Sequence, residues 1–102
     1  MTEFRKAARI EDVPAGQRKM VKVGGKRIAL FNIDGNYYAI DDTCTHKGGP
    51  LSEGQVAGTT VTCPWHRSSF DLRSGDAMTP PAEVGVSTYN VRVVDDDIEI
   101  EI

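Results

Sequence analysis

Cysteine and histidine are scarce in this 102-residue chain, at two of each, tryptophan occurs once, and the aromatics together make up 7%. No segment approaches the roughly 20 consecutive apolar residues of a membrane span, and the N-terminal MTEFRKAARIEDV has no apolar run of signal-peptide length. The expectation is therefore a cytoplasmic protein with no membrane partner. Cations are not in excess either: 12 Lys and Arg stand against 15 Asp and Glu, for a net charge of −3. That balance lacks the clustered positive surplus needed to neutralise phosphates and argues against a nucleic-acid partner. Also missing are low-complexity tracts, internal repeats and any stretch of 11 or more residues with a 3.6-residue apolar period. Long helices are thereby disfavoured.

What is present is the makeup of an ordinary globular protein, 39% hydrophobic and 26% charged, sized for one core. A single domain over residues 1–102 is expected. Short apolar or alternating runs are punctuated by turn signals, so the fold class reads as all-β. Residues 20–23, 27–33 and 37–40 flank Gly24-Gly25 and Asp34-Gly35-Asn36 and predict a three-stranded meander. Residues 56–62 and 68–72 continue the pattern, and 88–94 with 98–102 form a final hairpin around Asp95-Asp96-Asp97. In that hairpin Ile98, Ile100 and Ile102 alternate with Glu99 and Glu101, which places isoleucines on one face and carboxylates on a solvated edge. Residues 10–14 have room for one helical turn, and Leu30, Ile40, Val84 and Val86 are expected core.

The chemistry-bearing residues fall into two short groups, Cys44-Thr45-His46 and Cys63-Pro64-Trp65-His66, each at the end of a predicted strand and entering a Gly/Pro-rich turn. Residues two apart in extended chain point the same way, so Cys44 and His46 can address one site. In the second group Pro64 interrupts the strand, and a turn returns His66 to the side of Cys63. The sixteen residues between His46 and Cys63 include Gly48, Gly49, Pro50, Gly54 and Gly58, enough chain to leave one strand and come back beside it. Thiolate and imidazole together suit zinc or an iron-sulfur centre and not magnesium or calcium, which take oxygen ligands. A structural zinc site would use the same atoms, though its usual Cys-x₂₋₄-Cys or His-x₃₋₅-His spacings are absent. A Cys44–Cys63 disulfide would leave both histidines unexplained.

The two segments CTHKGGPLSEG and CPWHRSSFDLRSG closely resemble the Rieske family pattern of Cys-x-His, a spacer, then Cys-x-x-His, and a later Thr79-Pro80-Pro81 resembles that family's third, covering loop. The resemblance runs from about Phe4 to Ile102. It implies a small antiparallel β-sandwich with two cluster-binding loops holding one [2Fe-2S] cluster, Cys44 and Cys63 on one iron and His46 and His66 on the other. Replacing two thiolates by neutral imidazoles leaves the oxidised centre uncharged, which raises its potential over an all-cysteine cluster.

High-potential members of the family carry two further loop cysteines as a disulfide, and serine and tyrosine donors to the cluster sulfurs. This chain has no cysteines to spare; Ser68 keeps one donor position and Phe70 stands where the tyrosine would be. A low-potential centre is expected. The resemblance then implies a soluble ferredoxin component of a bacterial aromatic-ring-hydroxylating system. Such a carrier passes single electrons from a flavin-dependent ferredoxin reductase to a terminal oxygenase and is not itself an enzyme. The alternatives are the small subunit of an assimilatory nitrite reductase and, from another class, a structural zinc or interaction module. Lys47 and Arg67, directly after the histidines, are expected to form a basic rim that steers an acidic partner. Trp65 is expected to be core or half-buried packing.

Overall fold

The computed structural model describes residues 3–45, 48–65, 67–79 and 84–102. Among the described residues ten strands form three antiparallel sheets: β1 (Phe4–Arg9), β2 (Arg18–Val23), β3 (Lys26–Ile33), β4 (Asn36–Asp41), β5 (Gln55–Ala57), β6 (Thr60–Thr62), β7 (Ser69–Asp71), β8 (Thr88–Tyr89), β9 (Val91–Val94) and β10 (Asp97–Glu101). Among the described residues there is no α-helix, only 3₁₀ turns at Ile10–Asp12 and Leu51–Glu53. Among the described residues no helix is long and apolar enough to cross a membrane.

The middle layer is the four-stranded sheet β2-β3-β4-β8. Its central strand β3 runs Ile28-Ala29-Leu30-Phe31 with all four side chains buried. Because successive residues point to opposite faces, this one run supplies two cores. Ile28 and Leu30 pack with Ala8, Val13, Val21, Ala39, Ile98 and Ile100 on the side of the sheet β1-β10-β9. Ala29 and Phe31 pack with Ile40, Cys44, Leu51, Val61, Cys63 and Phe70 on the side of the small sheet β5-β6-β7. A continuous apolar run is what burial on both faces requires.

The expected meander is β2-β3-β4, in register from Arg18↔Phe31 to Ile33↔Asn36, and the helical turn falls at Ile10–Asp12. Several expectations need correction. Residues 56–62 are two strands, β5 and β6, folded back at Gly58-Thr59 so that Val56 opposes Val61. Residues 88–94 likewise divide, with β8 in the middle sheet and β9 in the β1-β10-β9 sheet. The isoleucine strand β10 is not an edge: β1 and β9 flank it on both sides. Its N-terminal partner β1 escapes detection because three of its six residues are cations. Two of them meet carboxylates at or beside β10, Lys6 to Asp97 at 3.4 Å and Arg9 to Asp96 at 3.9 Å, and Arg5 pairs with Glu3. Val84, expected in the core, is 68% exposed, whereas Val86 is buried.

Beyond β7 the chain turns at Gly75, whose φ of +80° belongs to the left-handed region that favours glycine. A methyl group there would collide with the carbonyl oxygen of Val86, while the Val86 N–H donates to the Gly75 carbonyl at 2.8 Å. Gly75→Ala is expected to cost about 2–3 kcal/mol, strain and collision together, read as a lowered urea midpoint.

Where β4 and β8 meet, the Tyr89 hydroxyl donates to Asp41 Oδ1 at 2.6 Å. Burial, with that bond and the adjacent carboxylate charge, pushes the phenol from its ordinary 10 up to about 12. A folded value above the unfolded one means that this contribution to stability is fully present below pH 10 and is lost as pH rises towards 12. Urea midpoints should fall across that window in the wild type and fall less in Tyr89→Phe.

Candidate metal centre

Two loops leave this framework with the same hydrogen-bond pattern. In residues 44–49 the Cys44 N–H donates to the Gly49 carbonyl at 2.9 Å and the Gly48 N–H returns to the Cys44 carbonyl at 2.8 Å. In residues 63–68 the Cys63 N–H donates to the Ser68 carbonyl at 2.7 Å and the Arg67 N–H returns to the Cys63 carbonyl at 3.1 Å. Antiparallel pairs of identical spacing close the two bases, Thr43↔Pro50 and Thr62↔Ser69. The fifth residue is left-handed in both, Gly48 at φ +77° and Arg67 at φ +60°. A non-glycine residue there costs free energy, of order 1–3 kcal/mol, and persists only because its surroundings hold it. Each loop thus presents a cysteine at its first position, and the sequence places a histidine third in one and fourth in the other.

Both cysteines are buried, at 2% and 0% exposure, within one apolar cluster, and no disulfide joins them. Gly49 explains how the loops meet: a Cβ on it would lie 2.7 Å from Cys63 Sγ and 3.0 Å from the Trp65 ring. Only a glycine lets the first loop's backbone pass this close to the second loop's sulfur. His46, Lys47, His66, Pro80 and Pro81 lie outside the described residues. Among the described residues no group of three or more His, Cys, Asp or Glu side chains comes together.

The first loop is seated on the middle sheet by Asp42, whose side chain is buried. Its N–H donates to the Arg27 carbonyl of β3, its carbonyl accepts from the Leu51 N–H, and its Oδ1 accepts from the Ser52 N–H at 2.8 Å. The second loop is the β6–β7 connection and is flanked by two wholly buried residues, Ser68 and Phe70. Two further hydrogen bonds involve Thr79 and Val84, described residues that sit close to the loops. Thr79 Oγ1 accepts from the Ser69 N–H at 3.0 Å and lies 2.8 Å from Ser69 Oγ, beside the second loop. From the first loop the Thr45 hydroxyl donates to the Val84 carbonyl at 2.6 Å. Asp42 and Thr45 carry no sequence signal for these roles beyond Thr45's place between two candidate ligands, whereas Thr79 opens the segment that resembles the family's covering loop.

This end of the molecule also exposes apolar surface, with Trp65 at 58%, Met78 at 55% and Val84 at 68%. Trp65 is therefore not core packing as expected: it lies over Gly49 with most of its ring in solvent. Two buried thiols from two matched loops, without a disulfide and with a histidine in each loop's sequence, are donors of the kind that would suit an iron-sulfur cluster with mixed ligands. The residues present fit such a group.

The Rieske [2Fe-2S] domain family matches residues 3–90. Among similar proteins, the 3-phenylpropionate/cinnamic acid dioxygenase ferredoxin subunit of Shigella flexneri serotype 5b is 41% identical over 97 residues, covering 94% of this chain and 91% of that one. The fold matches the ferredoxin of Sphingomonas yanoikuyae B1 with a TM-score of 0.90 at 29% identity, over 98% of this chain and 99% of the other. It also matches a chain from the complex of reduced oxygenase and oxidized ferredoxin in carbazole 1,9a-dioxygenase, with a TM-score of 0.87 at 28% identity, over 95% of this chain and 91% of the other.

Gly49→Ala should force the loops apart and abolish the visible absorption of the purified protein. Thr45→Val, which removes one tie and keeps the shape, should leave the colour but shorten its lifetime in a chelator challenge severalfold; Thr45→Ser should restore it.

Proposed function

Because the chain belongs to the Rieske [2Fe-2S] domain family, whose cofactor is a Rieske-type [2Fe-2S] cluster, we propose that Cys44 and Cys63 hold one iron of that cluster and His46 and His66 the other. Residues 1–102 form a single Rieske domain in this reading. The observation that carries it is the matched pair of loops, each opening on a buried cysteine that is joined to no other. When bound, the cluster accepts and releases one electron. The chain's own residues bind it, exclude water from the sulfur side and stiffen the loops. Burial of both thiols in the Phe31, Leu51, Val61 and Phe70 cluster supplies a low-dielectric wall. The Thr45 hydroxyl holds the Val84 carbonyl at the first loop, and Thr79 is bonded to Ser69 beside the second.

The protein serves as a ferredoxin component, taking single electrons from a flavin-dependent ferredoxin reductase and delivering them to a terminal ring-hydroxylating oxygenase in the cytoplasm. Support comes from relatives named as dioxygenase ferredoxins and from the matching chain in an oxygenase–ferredoxin complex. The exposed apolar collar of Trp65, Met78 and Val84 suits brief docking, since the loop ends carry contact surface the fold leaves uncovered. Substrate chemistry belongs to the oxygenase, and the ferredoxin is an electron-transfer component rather than an enzyme.

Purified protein should be red-brown, contain iron and acid-labile sulfide in equal amounts and show a Rieske-type EPR spectrum on reduction; a colourless, zinc-containing protein would overturn the reading. In a reductase-coupled assay it should support a ring-hydroxylating oxygenase and not a siroheme nitrite reductase. The midpoint should lie below zero, towards the low end of the roughly −150 to +300 mV span of such centres. Ser68→Ala should lower it further, because a lost donor leaves the reduced sulfurs less stabilised.

A further inference from the structure

Residues 18–27, the β2–β3 hairpin, read Arg-Lys-Met-Val-Lys-Val-Gly-Gly-Lys-Arg: five cations and no carboxylate. With a net charge of −3 for the whole chain, the remainder carries −8, the difference between −3 and +5. The hairpin is a local reversal of sign.

Its cations also differ in how they are used. Outside the hairpin, Arg5, Lys6, Arg9, Arg73 and Arg92 each pair with a carboxylate. Among the described residues none of the five hairpin cations does, and the one other unpaired cation is Arg67, in the second loop. The strand register sets Lys22 directly opposite Arg27. Facing like charges cost stability in a sheet, and no described carboxylate offsets the cost.

By strand alternation Lys22 and Arg27 occupy the face of the middle sheet that carries Ala29 and Phe31, the cysteine side. Arg18 Nε donates to the Ser52 carbonyl at 2.8 Å, just beyond the first loop. Lys26 and Arg27 line a cleft of about 420 Å³ together with Thr43, the residue before Cys44. The one carboxylate in that cleft, Asp41, is engaged by the Tyr89 hydroxyl.

We propose that the β2–β3 hairpin, with Lys22 and Arg27 at its centre, is a docking face for the acidic rim of a redox partner protein seated over the two loops. The inference rests on the carrier reading and adds the charge of the partner. A protein fits better than a nucleic acid. The exposed apolar side chains at the loop end, Trp65, Met78 and Val84, need an apolar counterpart, and the −8 on the rest of the chain repels an extended polyphosphate.

The test uses holoprotein and two probes. Fluorescent poly-L-glutamate, followed by anisotropy at low salt, reads the face without using the cluster. Lys22→Gln with Arg27→Gln should weaken binding roughly tenfold, while Lys6→Gln with Arg9→Gln, which removes equal charge from ion-paired positions, should change it less than twofold. Stopped-flow oxidation of the reduced protein by ferricyanide, one electron passing to give ferrocyanide, reads the same face at the electron exit. Wild type should slow roughly threefold from about 10 to 200 mM salt, although a molecule of net negative charge would be expected to speed up, and the hairpin variant should lose that slowing. Equal weakening by both double variants, or salt dependence unchanged by Lys22→Gln with Arg27→Gln, would overturn the proposal. Tighter binding of a DNA duplex than of poly-L-glutamate at equal charge would overturn it in favour of nucleic acid. Absence of the visible spectrum would instead refute the carrier reading, with the poly-L-glutamate result still reporting on the hairpin.

Discussion

The rest of the structure is arranged around one requirement: two loops from different parts of the chain must bring their backbones within van der Waals contact of a buried sulfur. Gly49 against Cys63 Sγ is where this is met, and side-chain bulk on the first loop has no room there. The loops share one hydrogen-bond pattern, and each is braced from behind by a different device. Asp42 ties the first to the middle sheet, while the short β5-β6-β7 sheet carries the second. Thr45 of the first loop bonds the Val84 carbonyl, and Thr79 bonds Ser69 beside the second. Such bracing suits an electron carrier, because a site that barely rearranges between its two charge states loses little energy to reorganisation.

Burial and exposure divide along the molecule accordingly. Ile28-Ala29-Leu30-Phe31 serves both cores from one strand, so the middle sheet is fixed on both faces. At the loop end Trp65, Met78 and Val84 are left in solvent, while Val93 and Val94 are exposed on β9. Charge follows the same division. Ion pairs tie β1, β9 and β10 together on the far side, and the unpaired cations stand on the hairpin beside the loops. Exposed ion pairs add little stability each, so their main consequence here is to leave the hairpin and Arg67 as the described cations without carboxylate partners.

Much of the fold was legible because it rests on local rules. The meander follows from glycine-containing turns between alternating runs, and the last hairpin from isoleucines spaced two apart. What escaped depends on long-range partners. Strand β1 has too many cations to look apolar and becomes a strand only because β10 offers carboxylates and a free side. Residues 56–62 and 88–94 each look like one strand and are two, since the break at Gly58-Thr59 and the change of sheet at Asn90 are set by what each half pairs with. Val84 and Trp65 looked like core by residue type and are surface, because the loops they stand on are held at the molecule's end.

By itself the sequence determined the chemistry of the site: two Cys-His groups at Rieske spacing, the all-β class, and the absence of cysteines for a further disulfide. Residue types and short spacings are local facts, and ligand preference follows directly from them. The tertiary structure alone decided that both thiols are buried in one cluster, that the loops are matched in hydrogen bonding, and that Thr45 meets Val84 and Thr79 meets Ser69. It also decided that, among the described residues, the five hairpin cations have no carboxylate partner. Those features depend on which residues the fold brings together across tens of positions, and distance along the chain carries no record of distance in space.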